Sequence, residues 1–580
     1  NTPQNHPTTT LHLADNLAWN PALMGGRHQL KFGFEVRPYW YNLLFDIIAR
    51  GSWTFNGGPT ANPLNPTQNP LIQLLQGTPD FALGVSGNSN MVITTTSYGG
   101  YVQDDYRVSP HFTLNLGLRY EYNSPPVEIN NKFSDPNLTP SALTCSPKPD
   151  CQFIIAGTPG LPRGTYSPDR TDFAPRLGFA WRPLGTDRFV LRSGYGVFYD
   201  LVILNANLES ELNPPFFSVV DFSNNSTNSL TIQNILSQPP GLNPSQPSFM
   251  ARNFKDAYMQ QWNLDTQVEL KHDLLLDVAY VGSKGTRLIV ARDINQSALG
   301  GTPPFPAFGA VTMNSSEGDS GYNALQVRSE KRAAHGLAFL ASYTFSKSLD
   351  DASGLFGTKA EPGYPQNSFD LSGDRGLSNF NVKHRFVFSS IYELPFGTGQ
   401  RWFAEPGIAN RILGNWKMSG ILTLQSGQPF SVNRGVDQSS TGTIALGTID
   451  RPNLIGNPNV GGPVAANPGC NAPAQVHTVA DWFNPCAFVA APGQFGNAGR
   501  NILIGPDFKD VDFSVLRDIQ LGRESRLLQF RAEFFNLFNH PNFDLPNGNF
   551  DGNAFAALQS ANAFGGRPPR QVQLSLKFIF

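Results

Sequence analysis

The sequence predicts an all-β fold, a transmembrane antiparallel β-barrel with about fifteen strands in this chain. Three observations predict it. Apolar and polar residues alternate strictly in segment after segment. Short and long connections between these segments also alternate. Only 15% of the 580 residues are charged, and many of these charges fall on the polar positions of the alternating segments.

Composition narrows the field first. Gly (55) and Pro (47) together make about 18% of the chain, against about 12% in average proteins. Phe supplies 44 residues and aromatics reach 12%, which excludes a disordered chain. The formal charge of -2 excludes a general nucleic-acid binder. No run approaches the ~18 apolar residues of a membrane helix. Asn1–Thr10 is polar, without the basic start and apolar run of a leader peptide.

Side chains on a strand point to opposite faces in turn, so a half-buried strand alternates with period two. Leu114, Leu116, Leu118, Tyr120 and Tyr122 alternate with Thr113, Asn115, Gly117, Arg119 and Glu121. Leu528, Phe530, Ala532 and Phe534 alternate with Gln529, Arg531 and Glu533. The same test marks strands at 11–19, 29–41, 98–108, 112–122, 176–182, 188–199, 262–270 and 274–283. It continues through 324–332, 337–346, 383–393, 416–426, 511–518, 527–535 and 572–580. Ser52–Phe55 is one further strand candidate, and Ala554–Ala563 is expected as a short helix inside a loop.

The connections at 109–111, 183–187, 271–273, 333–336 and 519–526 are short. Those at 123–175, 200–261, 284–323, 347–382, 427–510 and 536–571 are long, and 394–415 is intermediate. Outer-membrane barrels have short periplasmic turns and long extracellular loops, whereas a soluble sandwich has no reason to gather its long loops at one end. With long loops outside, the last strand runs inward and so does the first, an odd count. Single-chain bacterial barrels have even counts, so the first strands are expected to lie outside this chain, which then reads as one domain over 1–580.

Cys145/Cys151 and Cys470/Cys486 form two local pairs in Pro/Gly-rich sequence. Neither has zinc-like spacing, and disulfide-closed loops in an oxidising compartment are the better reading.

Several motifs carry a family resemblance. Tyr101-Val-Gln-Asp-Asp-Tyr-Arg107 with Leu114-Asn-Leu-Gly-Leu-Arg-Tyr-Glu121 resembles a strand pair of TonB-dependent transporters. Ala174-Pro-Arg-Leu-Gly-Phe-Ala180 with Leu191-Arg-Ser-Gly-Tyr-Gly-Val-Phe-Tyr199 is similar to the next pair. Tyr343-Thr-Phe-Ser-Lys-Ser-Leu-Asp-Asp351, Trp482-Phe-Asn-Pro-Cys-Ala-Phe488 and Phe495-Gly-Asn-Ala-Gly-Arg500 extend the likeness. With Arg531-Ala-Glu-Phe-Phe-Asn-Leu-Phe-Asn-His-Pro-Asn-Phe543, they resemble the Oar-like, acidobacterial-type subgroup, whose full-length members carry a carboxypeptidase-regulatory-like domain.

The resemblance implies a bacterial outer-membrane barrel of about 22 strands with a separate plug, neither the plug nor the regulatory-like domain being visible in this sequence. It implies active uptake of a bulky scarce solute, an oligosaccharide, peptide or metal chelate. Its expected partners are outer-membrane lipid, the TonB energy-transducing complex acting through the plug, the barrel-assembly machinery and an extracellular ligand. A monomer is expected. The rival implication is an Oar-like surface adhesion or structural protein without transport. The final strand, with Phe578 and Phe580, resembles the terminal signal for barrel assembly.

No HExxH, Walker loop, GxSxG or EF-hand loop appears, so no enzyme and no cofactor are expected. Asp507, Asp510, Asp512 and the Asp350/Asp351 pair read as solvated turn acids or, alternatively, as loop calcium ligands. Arg119, Glu121, Arg328, Arg531 and Glu533 are expected to face the lumen. There they would touch a plug or solute, or form a cross-strand ladder of opposite charges. The loop aromatics Trp53, Trp482 and Phe483 would stack on a ligand or pack the loops together.

Overall fold

The computed structural model describes all residues except 1–3, 6, 22–26, 46–50, 56–68, 147, 149, 202–208, 224–230, 234–245, 271–272, 335, 356, 359–362, 406, 443–449, 523–525 and 561–568. Its frame is one large sheet in which each long strand pairs antiparallel with the next in sequence. Among the described residues these wall strands number fifteen, one at every predicted position. They are β1 (Leu13–Trp19), β2 (His28–Phe45), β3 (Met91–Ser109), β4 (Phe112–Asn123) and β5 (Asp172–Trp181). Then come β6 (Phe189–Tyr199), β7 (Tyr258–Leu270), β8 (Leu274–Asp293), β9 (Thr312–Ala334) and β10 (Leu337–Asp350). The last are β11 (His384–Glu393), β12 (Trp416–Gln425), β13 (Phe508–Gln520), β14 (Leu527–Phe535) and β15 (Gln571–Ile579). Among the described residues no pairing joins β15 to β1.

The strands outrun their predicted lengths at the long-loop end. The expected loop 284–323 is largely a tall hairpin, because β8 reaches Asp293 and β9 begins at Thr312. The overhanging stretches, such as Thr94–Ser97 and Asn314–Ser320, are polar on both faces. Alternation fades there, but backbone pairing does not depend on it. Ser52–Thr54 is a strand outside the wall, in a three-stranded sheet with Phe81–Gly87 and Phe217–Ser223. The described part of the expected helix, 554–560, is turn and irregular backbone instead.

Burial on β4 is inverted relative to a water-soluble sheet, whereas further along the wall the Arg192, Arg328 and Arg531 side chains keep 49%, 48% and 43% exposure and both faces are open. On β4, Leu116 and Leu118 are 41% and 45% exposed, while the Arg119 and Glu121 side chains keep only 15% and 20%. Leu177, Leu264, Leu574 and Leu576 are likewise exposed. Aromatic pairs bracket this apolar face. Phe112–Phe179 lie at the short-turn end, with centroids 6.0 Å apart. Tyr120–Phe173 (4.9 Å) and Tyr98–Tyr122 (6.1 Å) lie at the other. From Phe112 to Tyr122 is ten steps, about 25 Å along the normal for strands tilted by ~40°, the height of a hydrocarbon band.

The hydrophobic core sits in the loops. Phe430, Val432, Phe483, Ala487, Phe488, Ala498, Leu503 and Ala556 form one buried cluster, uniting the described parts of connections 426–507 and 536–570 into a loop body. Both expected disulfides are formed, Cys145–Cys151 and Cys470–Cys486.

Candidate functional site

Register fixes which residues share the polar face. Arg119 pairs across with Tyr101 and Ala174, Arg328 with Asp277 and Ser342, Arg531 with Leu516 and Ser575. Followed strand to strand, these pairings put Arg119, Glu121, Arg328, Arg531 and Glu533 on one face. The sheet does not bring them to one point. It spreads them along the wall as separate ion pairs.

Arg119 bridges Glu35 and Glu121, and Arg37 adds a second contact to Glu35 at 3.1 Å. His12 reaches the other Glu35 oxygen at 3.0 Å. Further along, Arg192 meets Asp265 at 3.5 Å. Arg328 contacts Asp277 at 3.3 Å and Glu330 at 2.5 Å, and Arg531 lies 3.6 Å from Glu533. Arg119–Glu35, Arg192–Asp265 and Arg328–Asp277 join different strands, whereas Arg119–Glu121, Arg328–Glu330 and Arg531–Glu533 each join residues two apart on one strand. Beside Arg119 lies a hollow of about 360 Å³, lined by Glu35, Tyr101, Gln103, Gly117, Arg119 and Arg176. The Arg176 guanidinium sits 4.6 Å above the Phe198 ring.

Above the wall, the loop body is stitched by charges that the sequence did not pair. Arg500 binds Asp350, and Arg451 binds Asp374 at 2.5 Å. All four side chains keep 6% exposure or less. Arg434 contacts Asp551 at 2.9 Å and covers the Phe550 ring at 5.0 Å. Burial pushes the Asp551 carboxyl up, but Arg434 and the Gly435 N–H hold it below its ordinary range. For Arg500 the signal is an arginine with no acid near it in sequence; Arg451 directly follows Asp450, and its buried partner is the distant Asp374 instead.

The acids singled out earlier are engaged by the protein itself. Asp351 pairs with Arg375 at 2.9 Å. Asp507 accepts from the Gly427 N–H and Asp512 from the Asn536 N–H. Among the described residues no group of three His, Cys, Asp or Glu is placed to hold a metal ion.

A second acidic group lies at the rim. Asp169 is held below its usual range, because bonds from Thr171 and Lys255 outweigh its burial. Burial raises Asp256, although Asn123 donates to it at 3.1 Å. In the loop strand Ser134–Pro136, burial pushes Asp135 to about 7 despite Arg252 at 3.2 Å.

The loop aromatics divide. Phe483 is 1% exposed inside the loop-body cluster; it packs the loop, and its face is closed to a ligand. Trp482 is half-buried, donating from Nε1 to the Ile504 carbonyl at 2.8 Å and edging against His477 at 5.2 Å. Trp53 is half-buried in the small three-stranded sheet.

Solved structures with a similar overall course include the outer membrane transporter YddB of Escherichia coli (10% identity, TM-score 0.49, covering 99% of this chain and 54% of that one). Others are FpvA of P. aeruginosa (11%, 0.46, 99% and 48%) and the FrpB iron transporter of Neisseria meningitidis (11%, 0.45, 98% and 55%). The chain thus spans about half the length of these structures. No curated protein matches it significantly. The family model described as "Outer membrane beta barrel domain" matches residues 1–573, and the chain therefore belongs to that family, of the bacterial outer membrane.

Proposed function

We propose that this chain forms the wall and extracellular mouth of a TonB-dependent, Oar-like receptor that takes up a bulky scarce solute. An oligosaccharide, a peptide and a metal chelate are the candidate classes. The polarity of the wall carries this reading: apolar side chains stand exposed on one face, and the other face holds a ladder of ion pairs. A sheet with lipid on one side and water on the other needs that arrangement. The ordered loop body at the long-loop end supplies a ligand-facing mouth outside the cell.

In this reading the loops and a plug bind the ligand, and the TonB complex then draws on the plug from the periplasm. The chain acts as transporter wall rather than enzyme, as a monomer. Its terminal Phe578 and Phe580, both exposed, are presented to the barrel-assembly machinery. The lumen-facing side chains Arg119, Glu121, Arg328, Arg531 and Glu533 stiffen the wall.

The test supplies a strain lacking the gene with each solute class as its limiting nutrient. Loss of uptake that a protonophore also abolishes, for one class, is the expected result. The second reading, a surface adhesion protein, is favoured by the disulfide-closed loop body with its own core. It expects unchanged uptake together with lost attachment to surfaces.

A further inference from the structure

At the short-turn end one connection departs from the rest. The described residues of the 394–415 connection, between β11 and β12, form a small foot containing the helix Ile408–Leu413. The foot turns its apolar side outward. Ile408 is 78% exposed and Ile412 59%, with Leu413, Trp402 and Phe403 also exposed. At ~100° per residue, Ile408, Ala409, Ile412 and Leu413 occupy one arc of the helix. The opposite side is pinned down by Asn410, which is buried. Its amide donates to Thr398 Oγ1 at 3.1 Å and to the Ala404 and Glu405 carbonyls at 3.3 Å.

The foot is tied to the lipid side of the wall. Trp416 donates from Nε1 to the Ile412 carbonyl at 2.9 Å. Its ring meets Phe530 edge-on at 6.2 Å, and Phe530 pairs across with Leu576 on the exposed apolar face. The next residue, Lys417, points to the polar face and binds Glu393 at 2.8 Å. Arg517 lies 5.4 Å above the Trp416 ring and donates from Nε to the Gly414 carbonyl at 3.1 Å. Arg401 covers Trp402 at 5.5 Å, and Arg411 is exposed on the helix. The apolar surface of the foot therefore continues the membrane-facing belt, with arginines at its margin.

We propose that the foot seats in the phospholipid leaflet on the short-turn side, where its arginines bind anionic headgroups. This rests on the reading of the wall as membrane-spanning. Apolar side chains lying at the acyl boundary beside Trp and Arg at headgroup depth are the pattern of an interfacial helix. A cation near an anionic membrane surface contributes about fivefold in lipid preference.

The full chain would be reconstituted in phosphatidylethanolamine vesicles containing phosphatidylglycerol, with a nitroxide at Ile408→Cys, Leu118→Cys or Val460→Cys. Leu118 lies on the belt and Val460 is an exposed loop residue. The nitroxide at position 408 should match position 118, open to oxygen and closed to a water-soluble nickel chelate. If 408 instead matches 460 while 118 stays oxygen-rich, the foot proposal is overturned and the membrane wall stands, leaving that face for a periplasmic protein. If 118 is also open to nickel, the membrane reading fails with it. Arg401→Gln combined with Arg411→Gln should cut the enrichment of spin-labelled phosphatidylglycerol over phosphatidylcholine several-fold. Unchanged enrichment overturns the headgroup contact.

Discussion

Arg500 and Asp350 come from segments far apart in sequence and meet where water is nearly excluded. Removing one partner leaves the other charge buried and unpaired, which costs ~3–5 kcal/mol. Asp350→Ala should therefore loosen the loop body by that order, read as faster protease cleavage within 427–505. Arg500→Met combined with Asp350→Leu should recover most of the loss, because no lone charge remains. Asp135 gives a pH signature. Its folded pKa, about 7, lies above the 3.8 of the unfolded chain. Between these values the unfolded chain has released a proton that the folded loop still holds, so stability falls as pH rises from about 4 to 7 and levels off above. Asp135→Asn should flatten that slope in thermal melts at pH 5 and pH 8. At this scale the sequence was least legible. Asp350 reads as a turn acid until its arginine, 150 residues away, is located.

The strand is the scale at which the sequence spoke clearly, because one alternating face must meet lipid while the other meets water. That pressure ends with the hydrocarbon. Beyond it, Thr94–Ser97 keeps its ladder and Asn314–Ser320 keeps one interrupted by bulges around Leu288, without any hydropathy pattern, so alternation alone marks these strands short. The two faces of one strand should accordingly respond differently to charge. Leu116→Arg, on the apolar face, should cost ~2–4 kcal/mol in urea unfolding from phospholipid vesicles, whereas the neighbouring Asn115→Arg should cost far less. In the loop body, Cys470 and Cys486 are separated by 16 residues. Replacing both with Ser should destabilise that body by ~3 kcal/mol, measured by limited proteolysis with and without reductant.

For the whole molecule, order is divided between a wall whose apolar side chains lie outside and a loop body with an ordinary core. The parity of the connections foretold that division, since every long loop emerges at the same end. It could not foretell that loops 426–507 and 536–570 condense around a shared cluster, because Phe430, Phe483 and Ala556 carry no periodic signal. Reduced assembly on deleting Phe580 is expected at this scale, read as the fraction of chain inserted into outer membranes. Full insertion would remove the terminal signal from the account.

The ladder along the polar face also has an electrical consequence. Glu35, Glu121, Asp265, Asp277 and Glu533 each stand within 4 Å of an arginine nitrogen. Such a lining presents dipoles, whose fields fade within a few ångströms, instead of bare charges that would hold an oppositely charged solute in transit. In the proposed transporter, a lumen lined by these pairs should show little preference between potassium and chloride, read as a reversal potential near zero across a salt gradient in planar bilayers.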